Sequence, residues 1–99
     1  MEPLAKQKCV QINRVYDSNS VRFEERSFFM YLYPNEIVAE SNRYALQDVF
    51  DMTYYPHNKS FDAVGFLYLH TNRGVKTYYV KEKPLAFVQA YKRRTSALP

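Results

Sequence analysis

A chain of 99 residues, 46% apolar and 17% aromatic, is long enough for one domain with a modest core and too apolar to be a disordered tail. One cysteine, Cys9, excludes an internal disulfide and a thiolate metal cluster, and two glycines exclude a glycine-rich phosphate loop. The formal charge is +4, and Lys81, Lys83, Lys92, Arg93 and Arg94 against Glu82 place the whole excess in residues 81–94, since five minus one is four.

Met1 to Gln7 reads as a flexible N-terminus. Residues 8–16 alternate, with Val10 and Ile12 on one side, and predict a first strand. Asp17-Ser-Asn-Ser20 is a turn by composition. Residues 21–26 then predict a second strand, with Val21, Phe23 and Glu25 on one face and Arg22, Glu24 and Arg26 on the other. Ser27 to Tyr33 predicts a third, apolar on both faces, and Pro34-Asn35-Glu36 a turn, because proline presets φ and cannot donate to a ladder. Ile37 to Glu40 predicts a short fourth strand. Tyr44 to Tyr55 fits helix and strand spacing alike, and its β-branched and aromatic density favours a fifth strand.

Pro56 to Ala63 is the longest polar connection and the natural place for a mobile loop. Two apolar runs, 64–71 and 75–81, flank Asn72-Arg73-Gly74 and predict a tight hairpin whose Gly74 takes positive φ. Both runs carry bulky residues on both faces, which predicts a central position covered on both sides, with the following helix as a lid. In that helix, Pro84 to about Arg94, the residues Pro84, Phe87, Val88 and Tyr91 recur at i, i+3, i+4 and i+7 as one core-facing stripe, and Thr95 to Pro99 is a polar tail.

About seven short strands followed by one amphipathic helix, spanning residues 8–94, resembles pleckstrin-homology-like (PH-like) domains, most of all small bacterial stand-alone members with a Gly-Phe-Leu-Tyr-Leu-His-Thr-like strand and a Pro-x-x-Phe helix. The resemblance implies an α+β, mostly β fold: a partly open antiparallel barrel of two packed sheets, capped by the C-terminal helix. Phosphoinositide-binding members carry a basic motif across the first two strands. Lys8, Arg14 and Arg22 stand near those places, but Glu24 and Glu25 follow and oppose an anion by repulsion, so phosphoinositide binding is not expected.

The candidates for chemistry are sparse. His57 and His70 have no His-x-His or His-x-x-x-His spacing and no carboxylate at a ligand offset, so no metal or cofactor is expected and His70 reads as a strand-end hydrogen bonder. Lys8 lies on the opposite face from Cys9, leaving the thiol without a base, and Asp48 and Asp51 pair only if a bulge intervenes. No catalytic constellation emerges. The expectation is a non-catalytic binding or assembly module, acting by protein–protein contact or homo-oligomerisation through strand edges. Its partner surface is sought at His57 and Lys59 on the polar loop, Arg73 and Lys76 on the hairpin, and Lys92 and Arg93 on the helix. The alternative is weak nucleic-acid or anionic-ligand binding through basic residues interleaved with Tyr31, Tyr33, Tyr54, Tyr55 and Tyr78. Without an N-terminal signal-like run or ~18 consecutive apolar residues, a soluble cytoplasmic protein is expected.

Overall fold

The structure, a computed structural model, describes residues 2–56 and 65–96. It consists of seven antiparallel strands and one C-terminal helix: β1 (Ala5–Tyr16), β2 (Val21–Leu32), β3 (Glu36–Ala39), β4 (Asn42–Ala45), β5 (Val49–Pro56), β6 (Gly65–Thr71), β7 (Gly74–Val80) and α1 (Leu85–Ser96). The strand order is β4-β3-β2-β1-β7-β6-β5, so two meanders are joined where the first strand meets the last. β4 and β5 end that order and do not pair, which leaves the sheet open. Ile37 from β3 and Met52 from β5 nevertheless share one buried cluster with Cys9, Met30, Leu69 and Phe87. Strands so far apart in the order meet in one core only if the sheet curls around it. No helix among the described residues is long and apolar enough to cross a membrane.

The strand boundaries differ from expectation in three places. Residues 21–26 and 27–33 form one strand, β2, because all twelve residues of β1 pair with it without a break, from Ala5 opposite Leu32 to Tyr16 opposite Val21. Residues 44–55 are not strand throughout: a 3₁₀ turn at Leu46–Asp48 separates β4 from β5 and lets Leu46 turn into the core, while its N–H donates to Asn35 O at 3.0 Å. The first strand also starts earlier than expected, at Ala5, and the buried Gln7 amide donates to Glu82 O at 2.9 Å.

Of the helical stripe, Pro84, Phe87 and Tyr91 are buried and Val88 packs against the core, as the spacing predicts. Pro84 stands just before the helix, and its carbonyl accepts from Val88 N at 2.9 Å. The helix meets the inner side of the hairpin through the core, where Phe87 and Tyr91 share one buried cluster with Leu67, Leu69 and Val80. α1 packs against β1, β2 and β5, and the Tyr91 hydroxyl donates to Val49 O at 3.1 Å. The outer face of the β6–β7 hairpin is covered by its own aromatics instead: Phe66 stacks on Tyr68, and its centroid lies 5.0 Å from that of Tyr79.

Beyond the body, Gln11–Tyr16 and Val21–Arg26 continue as a two-stranded ribbon. β7 pairs with β1 only at Cys9 and Val10, and β3 pairs with β2 only at Met30 to Leu32. Six residues per strand at about 3.3 Å each project roughly 20 Å, which accounts for a molecule measuring 56 × 26 × 24 Å.

Cys9, Tyr78 and Tyr91 make the core sensitive to alkali. Burial pushes the Cys9 thiol up from its ordinary 9.0 to about 12, against a smaller opposing pull from the Met30 backbone. Burial also raises Tyr78, with the Tyr44 hydroxyl adding to it, and raises Tyr91, with Asp51 adding to it. Each group stays neutral in the fold after the unfolded chain has ionised, so the unfolded state loses its protons first. Stability is therefore full below the ordinary thiol value of 9.0 and falls as pH rises from there toward 12. Thermal melts followed by circular dichroism should show a flat Tm up to that point and a steady decline above it. A Tm that holds through pH 11 would contradict this account of the core.

Candidate functional site

β4 and β7 are not neighbours in the strand order, yet they approach each other where Tyr44 meets Tyr78. Between them lies a recess of about 560 Å³ whose walls include Arg43, Arg73, Lys76, Asp48, Tyr44 and Tyr78. A second recess of about 420 Å³ adjoins it, shares Asn42, Thr77 and Tyr78, and runs on to Val10, Ile12 and Arg26 where the ribbon leaves the body. Together they form one cleft along β7. At the middle of the cleft the Tyr44 and Tyr78 hydroxyls meet at 2.5 Å, and Phe28 and Tyr78 pack in a T-shaped pair with centroids 6.2 Å apart.

The hairpin tip that carries Arg73 is held from two sides. Thr71 Oγ1 donates to Gly74 O at 2.7 Å and accepts from Arg73 N at 3.1 Å, and Gly74 takes φ 101°, the positive region its sequence position predicts. Asn72 N donates to Asp48 O at 3.0 Å, which ties the tip to the 3₁₀ turn. A two-residue period brings Lys76 to the inner side of β7, opposite Leu69, half-buried in the wall of the cleft.

The electrostatics favour an anion. Arg43 is matched by Glu36 at 2.9 Å and Arg26 by Glu40 at 2.9 Å. Arg73 and Lys76 make no ion pair among the described residues, and Asp48 is the only carboxylate lining the larger recess with them.

The cleft also offers backbone. Lys81 N donates to Lys8 O at 3.1 Å, and Tyr79 stands opposite Val10. Alternate residues of a strand direct their polar groups to the same side, so Thr77 and Val75 point theirs into the cleft past the last β1 partner. Ile12 does the same from β1.

Two of the residues singled out in the sequence, Arg73 and Lys76, thus come together. Lys92 and Arg93 do not join them: both are exposed on α1, with Arg93 beside Leu4 and Ala90, while Arg94 Nε donates to Pro34 O at 2.8 Å. His57 and Lys59 lie outside the described residues. Arg43 was not singled out, because only the fold shows that β4 stands across from β7.

The tyrosines do not form one platform either. Tyr54 and Tyr78 pack against the core, while Tyr55 is exposed. Phe29, Tyr31 and Tyr33 make a row on the outer face of β2, with successive centroids 6.3 Å apart and Lys6 Nζ 5.0 Å from the Phe29 centroid.

Among the described residues no three His, Cys, Asp or Glu side chains gather as a metal site. His70 Nε2 and Thr53 Oγ1 lie 3.0 Å apart, a strand-to-strand hydrogen bond. The Cys9 thiol donates to Gln7 O at 3.6 Å inside the core, where its raised pKa leaves it unreactive. A bulge does interrupt the start of β5, but Asp51 falls opposite His70 while Asp48 stays in the 3₁₀ turn. No family model matches the chain, and neither does any curated protein or solved structure.

Proposed function

We propose that the chain is a non-catalytic binding module with a PH-like, partly open barrel, which takes an extended acidic segment of a partner protein along β7. Support for the barrel comes from the strand order, in which two meanders meet at β1 and β7, and from the Tyr44–Tyr78 contact that joins the two halves across their shared core. The observation that carries the function is the edge of β7 from Val75 to Thr77, which pairs with no strand among the described residues and runs beside Arg73 and Lys76. An added strand would gain main-chain hydrogen bonds from that edge, and its alternate carboxylates would meet the two cations.

A fluorescein-labelled peptide of alternating Val and Glu, titrated by fluorescence anisotropy, tests this. Binding should weaken with salt, and Arg73→Glu together with Lys76→Glu should weaken it at least about tenfold, each charge reversal costing on the order of 1 kcal/mol. Backbone amide shifts should appear at Val75 and Thr77. Equal binding by wild type and the double variant, or no binding at all, would defeat the reading.

The row of Phe29, Tyr31 and Tyr33 beside Lys6 supports a second reading, stacking of single-stranded nucleic acid on the outer face of β2. A labelled oligonucleotide displaced by salt and lost on Tyr31→Ala, but indifferent to Arg73→Glu, would move the function there.

A further inference from the structure

The second strand of the ribbon carries an inference that does not depend on the cleft, because its edge lies on the far side of the ribbon from β7. Pairing on that side of β2 is confined to Met30, Tyr31 and Leu32, so no strand among the described residues lies along Val21–Ser27. One ribbon face presents Ile12, Tyr16, Val21 and Phe23, the last three 69%, 51% and 52% exposed, and Arg14 lies over the Phe23 ring at 5.6 Å. A lone two-stranded ribbon is marginal in water, and one that exposes this much apolar surface is an association surface.

We propose that two copies of the chain associate through β2, antiparallel about a two-fold axis at Phe23, so that the two ribbons form one four-stranded sheet. The register follows from the charges. Tyr33 N donates to Glu36 O, so by alternation the odd-numbered residues of β2 direct their backbone toward this edge. Residues that oppose each other across an antiparallel pair have the same parity, which puts the two-fold axis on a residue rather than between two. An axis at Arg22, Glu24, Glu25 or Arg26 sets that charge against itself. An axis at Phe23 sets ring beside ring and places Arg22 opposite Glu24 of the second copy twice over, with Val21 opposite Glu25.

That opposition repeats between chains a pairing already present within the strand, where Arg22 and Glu24 approach to 3.5 Å. The available edge ends where Arg26 holds Glu40 at 2.9 Å, just past the residues this register uses. Self-association of this kind leaves the cleft along β7 open, so either reading can fail without the other.

Single cysteines at positions 21, 23 and 25, in a Cys9→Ala chain, test the register under mild oxidation. At the axis the two Cα atoms come within about 5.5 Å, inside the range of roughly 4.4–6.8 Å that a disulfide spans. Phe23→Cys should therefore cross-link to itself. Val21→Cys and Glu25→Cys should not do so alone, but should cross-link to each other when the two proteins are mixed. Repeating the scan with Cys9 retained guards against loss of stability, since the buried thiol is out of the oxidant's reach.

Sedimentation of chains without added cysteines gives the second readout. The native chain should be a dimer, Arg22→Glu should dissociate it about tenfold more readily by turning two opposed pairs into like charges, and Arg22→Glu with Glu24→Arg should restore it. A monomer at high concentration, cross-linking at all three positions alike, or self-linking at position 25 in place of 23 would each overturn the proposal.

Discussion

Phe87→Ala should lower the Tm by more than about 15 °C. Phe87 is 1% exposed in the single helix and packs in the cluster shared by both ends of the strand order. Truncating a buried phenylalanine typically costs about 3–5 kcal/mol through lost transfer energy and the cavity left behind. In a domain of this size each kcal/mol shifts Tm by roughly 4–8 °C. The open sheet adds a reason to expect the upper part of that range. β4 and β5 do not pair, so little backbone bonding holds the two ends together where the helix packs, and side chains from α1 carry that join. Leu85→Ala, two residues earlier at a position 57% exposed, should change stability by no more than about 0.5 kcal/mol. Equal losses from the two variants would mean that α1 does not plug the core.

The helix is also where the sequence is most informative. A 3.6-residue stripe of Pro84, Phe87, Val88 and Tyr91 needs no knowledge of the rest of the chain, because its period is local. The β6–β7 hairpin is legible for the same reason, since Asn72-Arg73-Gly74 states its own turn. What hides is long-range. β2 is apolar on both faces past Ser27 and charged before it, and that shift in composition looks like a strand boundary. Physically it marks the point where one continuous strand leaves the core and becomes an exposed ribbon. The cleft is hidden more deeply. Arg43 and Lys76 are 33 positions apart, and nothing local in either segment indicates that β4 and β7 form opposite walls. The hairpin's outer aromatics predict a covering layer, whereas Phe66, Tyr68 and Tyr79 shield one another.

Gly65→Ala should destabilise the fold, although replacing glycine within a strand ordinarily gains about 0.5–1 kcal/mol through the unfolded chain. A Cβ at position 65 would sit 2.5 Å from Tyr55 O, 2.7 Å from Tyr54 Cε1 and 3.1 Å from Pro56 Cα. The tyrosine ring could swing away, but the carbonyl oxygen and the proline backbone belong to the β5–β6 ladder, where Pro56 stands opposite Gly65 and Tyr55 opposite Phe66. Relief therefore requires moving β5 itself. Overpacking of this kind costs about 1–3 kcal/mol, and the net loss should appear as a lower urea midpoint with an unchanged slope. Gly65→Val should cost more, because its branches extend further into the same space. Gly74→Ala is the instructive contrast. Its Cβ would meet nothing within 4 Å, so its cost would come from φ 101° alone, roughly 1–2 kcal/mol of backbone strain. The turn sequence announces that glycine. Only the close approach of a strand ten residues upstream explains the other, and a neutral Gly65→Ala would mean that β5 does not lie where its pairing with β6 puts it.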